Sequence, residues 1–572
     1  MSTAYVPQQP QSSGQVAAGA PVSPAHASEA TRLLCAGTYL DAGYRDRVIE
    51  ELHLNEQRIV APSLGYDAAR VLAHALRARR QEIAWAAALL GMWLVGSGLT
   101  GGLLALFFGA AVQLSVASWV RGSAARPPVW RRVPAFLLRW WGRVYFAVLL
   151  AGTVAAAFGE GRDASSGDSA VTGLLLGPVR ALAAEIEPWQ AWAAFVMFGL
   201  IALCVAGRRG QFARSLDAEL SPQRFPHAAG DPAEAAGGAR FQRLKDRIRT
   251  EQHAPLIMYH EARPFCGAGA AYETWVLTVE LRPDSDKKQQ PLSNRAVLEK
   301  IRPLLERLRL PAELAGGAVR DRLRWLEIDE CVFLPAEGLR RREDAPYHSQ
   351  AFEEHRARAV EEGAEKRRHF LRVRVGGWEE ELVVTVFVRI HTQGRMLMLE
   401  VAPHVLLPVR EDFKDADRKA HWFRHNNALG KTAWAVARIP RSAGSALAVL
   451  GRAAMYCWRA ATGGHAGALP DGPELSLREL GSAVAGSQFQ EMDASRYLKT
   501  IQDRIANGVR AALAESGYQT GEFVQKVVNV SQGAVHIDRV EGSTFAVGSH
   551  ASASTVSGAT EPQKGTDTDV DA

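Results

Sequence analysis

Residues 83–120 carry no charged side chain. A single helix of that length would run about 57 Å at 1.5 Å per residue, nearly twice a hydrocarbon core of about 30 Å. The run Gly96-Ser97-Gly98-Leu99-Thr100-Gly101-Gly102 sits midway, and glycine adopts the backbone angles of a tight reversal. The pattern therefore predicts two spans, about 83–98 and 102–120, joined as a hairpin. A third apolar run covers about 140–158, with Arg143 near its start, where it can snorkel. A fourth covers about 189–206. The expected membrane unit is a four-helix transmembrane region.

The basic residues give it a direction. Arg77, Arg79 and Arg80 precede the first span, Arg121, Arg126, Arg131 and Arg132 separate the second and third, and Arg208, Arg209 and Arg214 follow the fourth. The connector at about 159–188 carries Glu160, Asp163, Asp168, Glu185 and Glu187 against only Arg162 and Arg180. All basic clusters fall on one side if both termini are cytoplasmic, which is the positive-inside arrangement. Trp130, Trp140, Trp141, Trp189 and Trp192 stand near span ends, where interfacial aromatics belong. A multi-pass protein of the cell membrane is the expected localisation. No ionisable group lies mid-span, which disfavours a coupled transporter, since coupling needs a titratable or ion-binding site at depth.

Beyond the spans the periodicity changes. Strands are expected at 255–260, 274–281 and 323–334 from their β-branched and aromatic content, and a helix at about 294–310 that Ser293 can cap and Pro303 interrupts. A charged helix at 352–368 leads into three strands, 369–376, 380–391 and 395–402. Gly376-Gly377 and Gln393-Gly394 serve as their turns, the signature of an antiparallel β-meander. Helices follow at 412–438, 443–460 and 491–516, the last stopped by Gly517. Short strand-like runs at 527–530, 534–537 and 544–547 could close the domain or add to a partner's sheet edge. Helices with antiparallel strands make a cytoplasmic α+β region.

Composition refines this outline. The chain has 572 residues, net charge +6, 47% hydrophobic and 22% charged residues, so a wholly disordered or fibrous chain is excluded. Its five cysteines form no CxxC pair, which excludes a zinc ribbon, a disulfide scaffold and a thioredoxin-type site. The organisation read from these shifts is a disordered tail (1–27), a cytoplasmic helical segment (28–82), four spans (83–207) and a Pro/Ala/Gly-rich linker (208–239). The α+β domain (240–470), a helix with short strands (471–549) and a second disordered tail (550–572) complete it.

Several patterns invite chemistry and fall short of it. Gly430-Lys431-Thr432 resembles the end of a P-loop, but His425 stands where that loop needs glycine and no strand pattern precedes it. Gly267-Ala268-Gly269 lacks the third glycine of a dinucleotide fingerprint, with Tyr272 in its place. His421 and His425 have metal-ligand spacing, yet Trp422 occupies the position of a zinc-protease base. Glu327 and Asp329 share one face of an expected strand and Glu330 the other, a geometry open to a carboxylate pair or a solvated face. Basic runs such as Arg340-Arg341-Arg342 and Lys366-Arg367-Arg368 are interleaved with Glu361, Glu362 and Glu365, unlike the concentrated footprint of a nucleic-acid site. No catalytic, cofactor-binding or metal residue is assigned, and no cofactor is expected.

Pro264-Phe265-Cys266-Gly267-Ala268-Gly269 followed by Trp275 resembles a Pro-Phe-x-Gly-x-Gly…Trp pattern in uncharacterised membrane proteins of high-GC Gram-positive bacteria. The segment Gly542…Phe545-Ala546-Val547-Gly548 is similar to short C-terminal segments in conflict-associated proteins of that group. The resemblance implies bacterial origin and no activity. The expected function is a membrane-anchored cytoplasmic sensor, scaffold or effector that works through protein–protein contact, in a bacterial defence or signalling setting. The alternatives are a membrane-tethered enzyme, with a site near Gly267–Gly269, and a pore built as a homo-oligomer. The lipid bilayer and a protein partner of the cytoplasmic domain are the expected partners; nucleic acid is not.

Overall fold

Local caps start the fold. Ser28 and Asp41 open two short helices, α1 (Glu29–Leu40) and α2 (Ala42–Ile49), and Asp67 opens α3 (Ala68–Leu99) by accepting the amides of Ala69 and Arg70. Gly101 and Gly102, both at positive φ, reverse the chain into α4 (Leu103–Arg121). α5 (Val129–Phe158) and α6 (Pro188–Arg214) follow. These four helices are long and apolar enough to cross a membrane, as the uncharged runs predict. The computed structural model describes residues 24–531 apart from 64, 123–127, 159–184, 236, 310–322, 324, 363, 378–380 and 464–466. Residues 1–23 of the tail expected at 1–27, the tail at 550–572, most of the acidic connector, and the strand-like runs at 534–537 and 544–547 lie outside the described residues, while Ala25–Ala27 form a short 3-10 turn before α1.

α5 begins well before the apolar run that announced it, in a first half that exposes Arg131 and Arg132 alongside Val133, Phe136 and Leu137. The interior of the four helices is filled by aromatic side chains meeting edge to face. Phe107 lies 5.1 Å from Phe146 and 5.0 Å from Phe198, and Trp93 lies 6.2 Å from Phe198.

The stretch read as a linker is packed structure instead. Leu216, Leu220 and Phe225 are buried with α1, α2 and the first turns of α3, and the Arg70 guanidinium stacks 3.6 Å over Phe225. Its Pro, Ala and Gly content reflects tight turns, not an absence of contacts. α7 (Ala239–His253) completes this helical unit through Leu244 and Ile248.

The remaining strands are β1 (Leu256–Tyr259), β2 (Ala270–Ala271), β3 (Trp275–Glu280), β4 (Leu326–Pro335), β5 (Arg368–Gly377), β6 (Leu382–Gln393) and β7 (Met396–Leu406). They form one seven-stranded mixed sheet in the order β1-β4-β5-β6-β7-β2, with β3 also on β7. β1 runs parallel to β4 and the other pairs are antiparallel. The self-contained antiparallel meander expected at 369–402 is thus replaced by a curled mixed sheet, in which those strands are central. The turn read at Gly376-Gly377 is also displaced, because both glycines belong to β5 and pair with Val383 and Leu382. Gly394 and Arg395, both at positive φ, make the second turn.

Helices from two parts of the chain pack on the sheet. α8 (Asn294–Glu306) lies between β3 and β4 in sequence, and α9 (Ser349–Glu361) precedes β5. After β7 come α10 (Ala416–His425), α11 (Ala428–Val436), α12 (Ile439–Thr462), α13 (Leu477–Leu480), α14 (Gln488–Glu515) and α15 (Gly521–Ser531). α8 and α14 are the covering pair: Val297, Ile301, Leu305, Leu498, Ile501 and Val509 share a core with the strands, and Gly508 lets Ile301 approach closely. α15 corrects the expected strand at 527–530, which is helical. The stretch 443–460, read with the cytoplasmic region, packs along α3 and α4, where Ala443, Ala446 and Val449 are buried beside Trp93 and Leu89.

Candidate functional site

The Gly267–Gly269 loop is built to close a seam. Both glycines have φ near +100°, and a Cβ on Gly267 would meet the Pro62 carbonyl oxygen at 2.7 Å. The Gly267 and Gly269 amides both donate to Glu479 Oε1, at 2.7 and 2.9 Å. The nest that could have held a phosphate therefore holds a carboxylate of α13. Phe265 anchors the loop in an aromatic cluster with Phe333, Phe370, Phe387 and His404. The buried Cys266 thiol is pushed up by desolvation and by Glu479, so it stays protonated and unreactive.

The carboxylates of β4 are neutralised across strands. Glu327 faces Arg374 at 2.9 Å, and Asp329 pairs with Arg372 in the same register. On the opposite face Glu330 accepts from His369 at 3.1 Å and Arg356 at 3.0 Å. The hydrogen bond from His369 outweighs burial and holds the Glu330 carboxyl at about 2. Basic groups are paired in the same manner: Arg342 is buried against Glu251, and Lys366 meets Glu261 at 3.0 Å.

His421 and His425 stack face to face with centroids 4.0 Å apart on exposed α10. Gly430, Lys431 and Thr432 lie in the first turns of α11. There Gly430 donates to the Asn427 cap, Lys431 Nζ to the Arg424 carbonyl and Thr432 to the Ala428 carbonyl. A helix, not a strand, precedes them.

The fold also assembles a triad that spacing alone hides. His260, Glu337 and Asp471 bring ligand atoms within 4.8 Å of one another. The Ala262 amide donates to His260 Nδ1 at 3.1 Å, which leaves the ring proton on Nε2, 3.7 Å from Asp471. A metal at Nε2 would need that lone pair, so the geometry fits a histidine–carboxylate contact better than a cation site.

Two apolar features remain. A cavity of about 510 Å³ lies between α5, α6, α11 and α12, lined by Phe146, Leu150, Leu203, Val436 and Ile439, with Lys431 at its edge. At the start of α14 and in the turn before it, Val484, Phe489 and Met492 stand exposed, with Phe489 at 69% and Met492 at 61%.

Residues 274–545 match the AbeC-like domain family. That match begins at β3 and takes in strands β3 to β7, though not β1 or β2, together with α10, α11 and α12, so it crosses from the strands to helices packed on the apolar unit. No curated protein matches the chain, and no solved structure does.

Proposed function

We propose that the chain is a membrane-anchored sensor or scaffold whose cytoplasmic α+β unit, including the AbeC-like region, binds another protein. The four apolar helices supply the anchor, with both termini on the cytoplasmic side in keeping with the basic clusters. The observation that carries the reading is the exposed group Val484, Phe489 and Met492. Phe489 and Met492 are three residues apart on α14 and share a face. A large aromatic and a flexible thioether presented together to water mark a contact surface more often than a stable monomer's exterior. The resemblance of the C-terminal segment to conflict-associated proteins gives the setting, bacterial defence or signalling. The enzyme alternative near Gly267–Gly269 loses its main support, because Glu479 already occupies the loop amides.

The test is site-specific photo-crosslinking from Gln488 in the full membrane-inserted chain. A discrete crosslinked protein is expected, and Phe489→Asp with Met492→Asp should reduce its yield about tenfold while membrane insertion is unchanged. An undiminished yield in the double variant would overturn this surface as the contact.

A further inference from the structure

Resting on the membrane reading of α3–α6, we propose that α11 and α12 form a re-entrant hairpin. It enters the bilayer from the cytoplasmic side, turns near the midplane at residues 437–438, and presents Val436 and Leu447 to lipid acyl chains.

Contacts to three different spans place residues 436–444 near the middle of those spans, with the turn about one helical turn beyond Ser442. Ser442 accepts the Trp93 indole N–H at 3.2 Å, and Trp93 lies about 16 Å along α3 from Glu82 at 1.5 Å per residue. Gly444 packs directly on Ser115 and lies near the Ala111 carbonyl, about 9 and 15 Å along α4 from Arg121 respectively. Val436 and Ile439 share a cavity wall with Phe198, about 15 Å along α6 from Arg208. Half of a hydrocarbon core is about 15 Å.

The outgoing arm gives the same measure independently. Arg452 reaches Asp46 at 3.4 Å and Glu82 at 3.9 Å, Tyr456 bonds His53 at 2.7 Å, and Arg459 bonds Glu50 at 2.9 Å. Ser442 to Arg452 is about 15 Å of helix, matching Trp93 to Glu82 on the antiparallel α3. The incoming arm, α11, rises about 13 Å.

Two of the hairpin's cations, Lys431 and Arg438, reach back toward the cytoplasm, while Arg441 stands exposed beside Ser442. Lys431 Nζ donates to the Arg424 carbonyl, and Arg438 stacks 3.8 Å over Trp434 and donates to its carbonyl. That is the snorkelling expected of cations at depth. Helical arms packed on spans keep the backbone satisfied, which is the condition for re-entrant segments. Val436 is 50% and Leu447 41% exposed to whatever surrounds the protein.

The test uses nitroxide side chains at single cysteines in the full chain, with the exposed Cys457 changed to Ser, reconstituted in phosphatidylethanolamine/phosphatidylglycerol vesicles. Positions are Val436→Cys, Leu447→Cys, Leu94→Cys on the exposed face of α3, and Phe489→Cys. Positions 436 and 447 are expected to match 94, with relaxation enhancement by oxygen several-fold above that by a water-soluble nickel chelate, and 489 should show the reverse. Nickel accessibility at 436 and 447 with oxygen preference at 94 would overturn the hairpin alone. Low accessibility to both agents at 436 and 447 would overturn the lipid contact. Nickel accessibility at 94 would overturn the membrane reading together with the hairpin.

Discussion

Asp231 shows how much a single residue can carry without any local sign of it. Its carboxylate accepts from Arg70 at 2.8 Å and from His74 at 3.0 Å, all three being buried. Burial alone would raise its pKa, but the hydrogen bonds from His74 and Arg70 hold it well below the usual carboxylate range. Its partners lie 161 and 157 residues away, so the sequence around Asp231 reads as a turn-rich connector. Asp231→Asn leaves Arg70 buried without a counter-charge and should cost about 3–5 kcal/mol, seen as a lower melting temperature of the full chain in detergent. Glu330 gives a pH signature. Its carboxyl falls from 4.5 to about 2 on folding. The stabilisation is therefore complete above pH 4.5 and fades as pH drops toward 2. Glu330→Gln should flatten the fall of melting temperature between pH 5 and 3, and an unchanged slope would place the acid sensitivity elsewhere.

At the scale of elements, legibility follows the range of the forces involved. β5 and β6 carry Val373, Val375, Val384, Val386, Val388 and Ile390 at alternating positions, β7 alternates Leu397, Leu399 and Val401, and this short-range pattern suffices to locate them to within a few residues. The same holds for the glycine reversal between α3 and α4. The parallel pairing of β1 with β4 is a choice between distant edges, and no local pattern encodes it. The helix at 443–460 is legible, but its place against the spans is not, for a related reason. Arg441, Arg452 and Arg459 break its apolar run, so its hydropathy resembles a surface helix, while its small residues Ala443, Gly444 and Ala446 are what α3 and α4 require for close packing. The Gly267–Gly269 loop was visible as a motif and misleading as chemistry, because Glu479 comes from 210 residues away. Its role is testable. Gly269→Ala combines a φ of +100° with collision against the Val405 carbonyl, and should destabilise the chain by about 2 kcal/mol or more in chemical denaturation. Glu479→Gln keeps an acceptor oxygen and should cost less than Glu479→Ala, which strands both amides.

Across the whole molecule, the division between the four long apolar helices and the rest does not follow the order of the chain. The helical unit beneath the spans draws on residues before them, directly after them, and around 409–420 and 477. The unit of four long apolar helices draws on residues 435–449. The AbeC-like match at 274–545 therefore includes helices whose apolar faces are covered by α3, α4 and α6. A fragment beginning at 215 would retain the sheet but uncover Leu216, Phe225 and Phe413 of the helical unit, and Ala435, Ile439, Ala443, Ala446 and Val449 together with the already exposed Val436, Leu447 and Trp458. Apolar burial contributes about 25 cal/mol per Å², so a strip of several hundred Å² left open gives a driving force of many kcal/mol toward bilayers or self-association. Residues 215–531 are accordingly expected to float with lipid vesicles or sediment as aggregates. Replacing 428–462 by a flexible polar linker should shift the fragment toward the soluble fraction. If the unmodified fragment stays soluble and lipid-free, α11 and α12 must fold back onto another part of the cytoplasmic unit, and their packing on the spans would then be one of two stable arrangements.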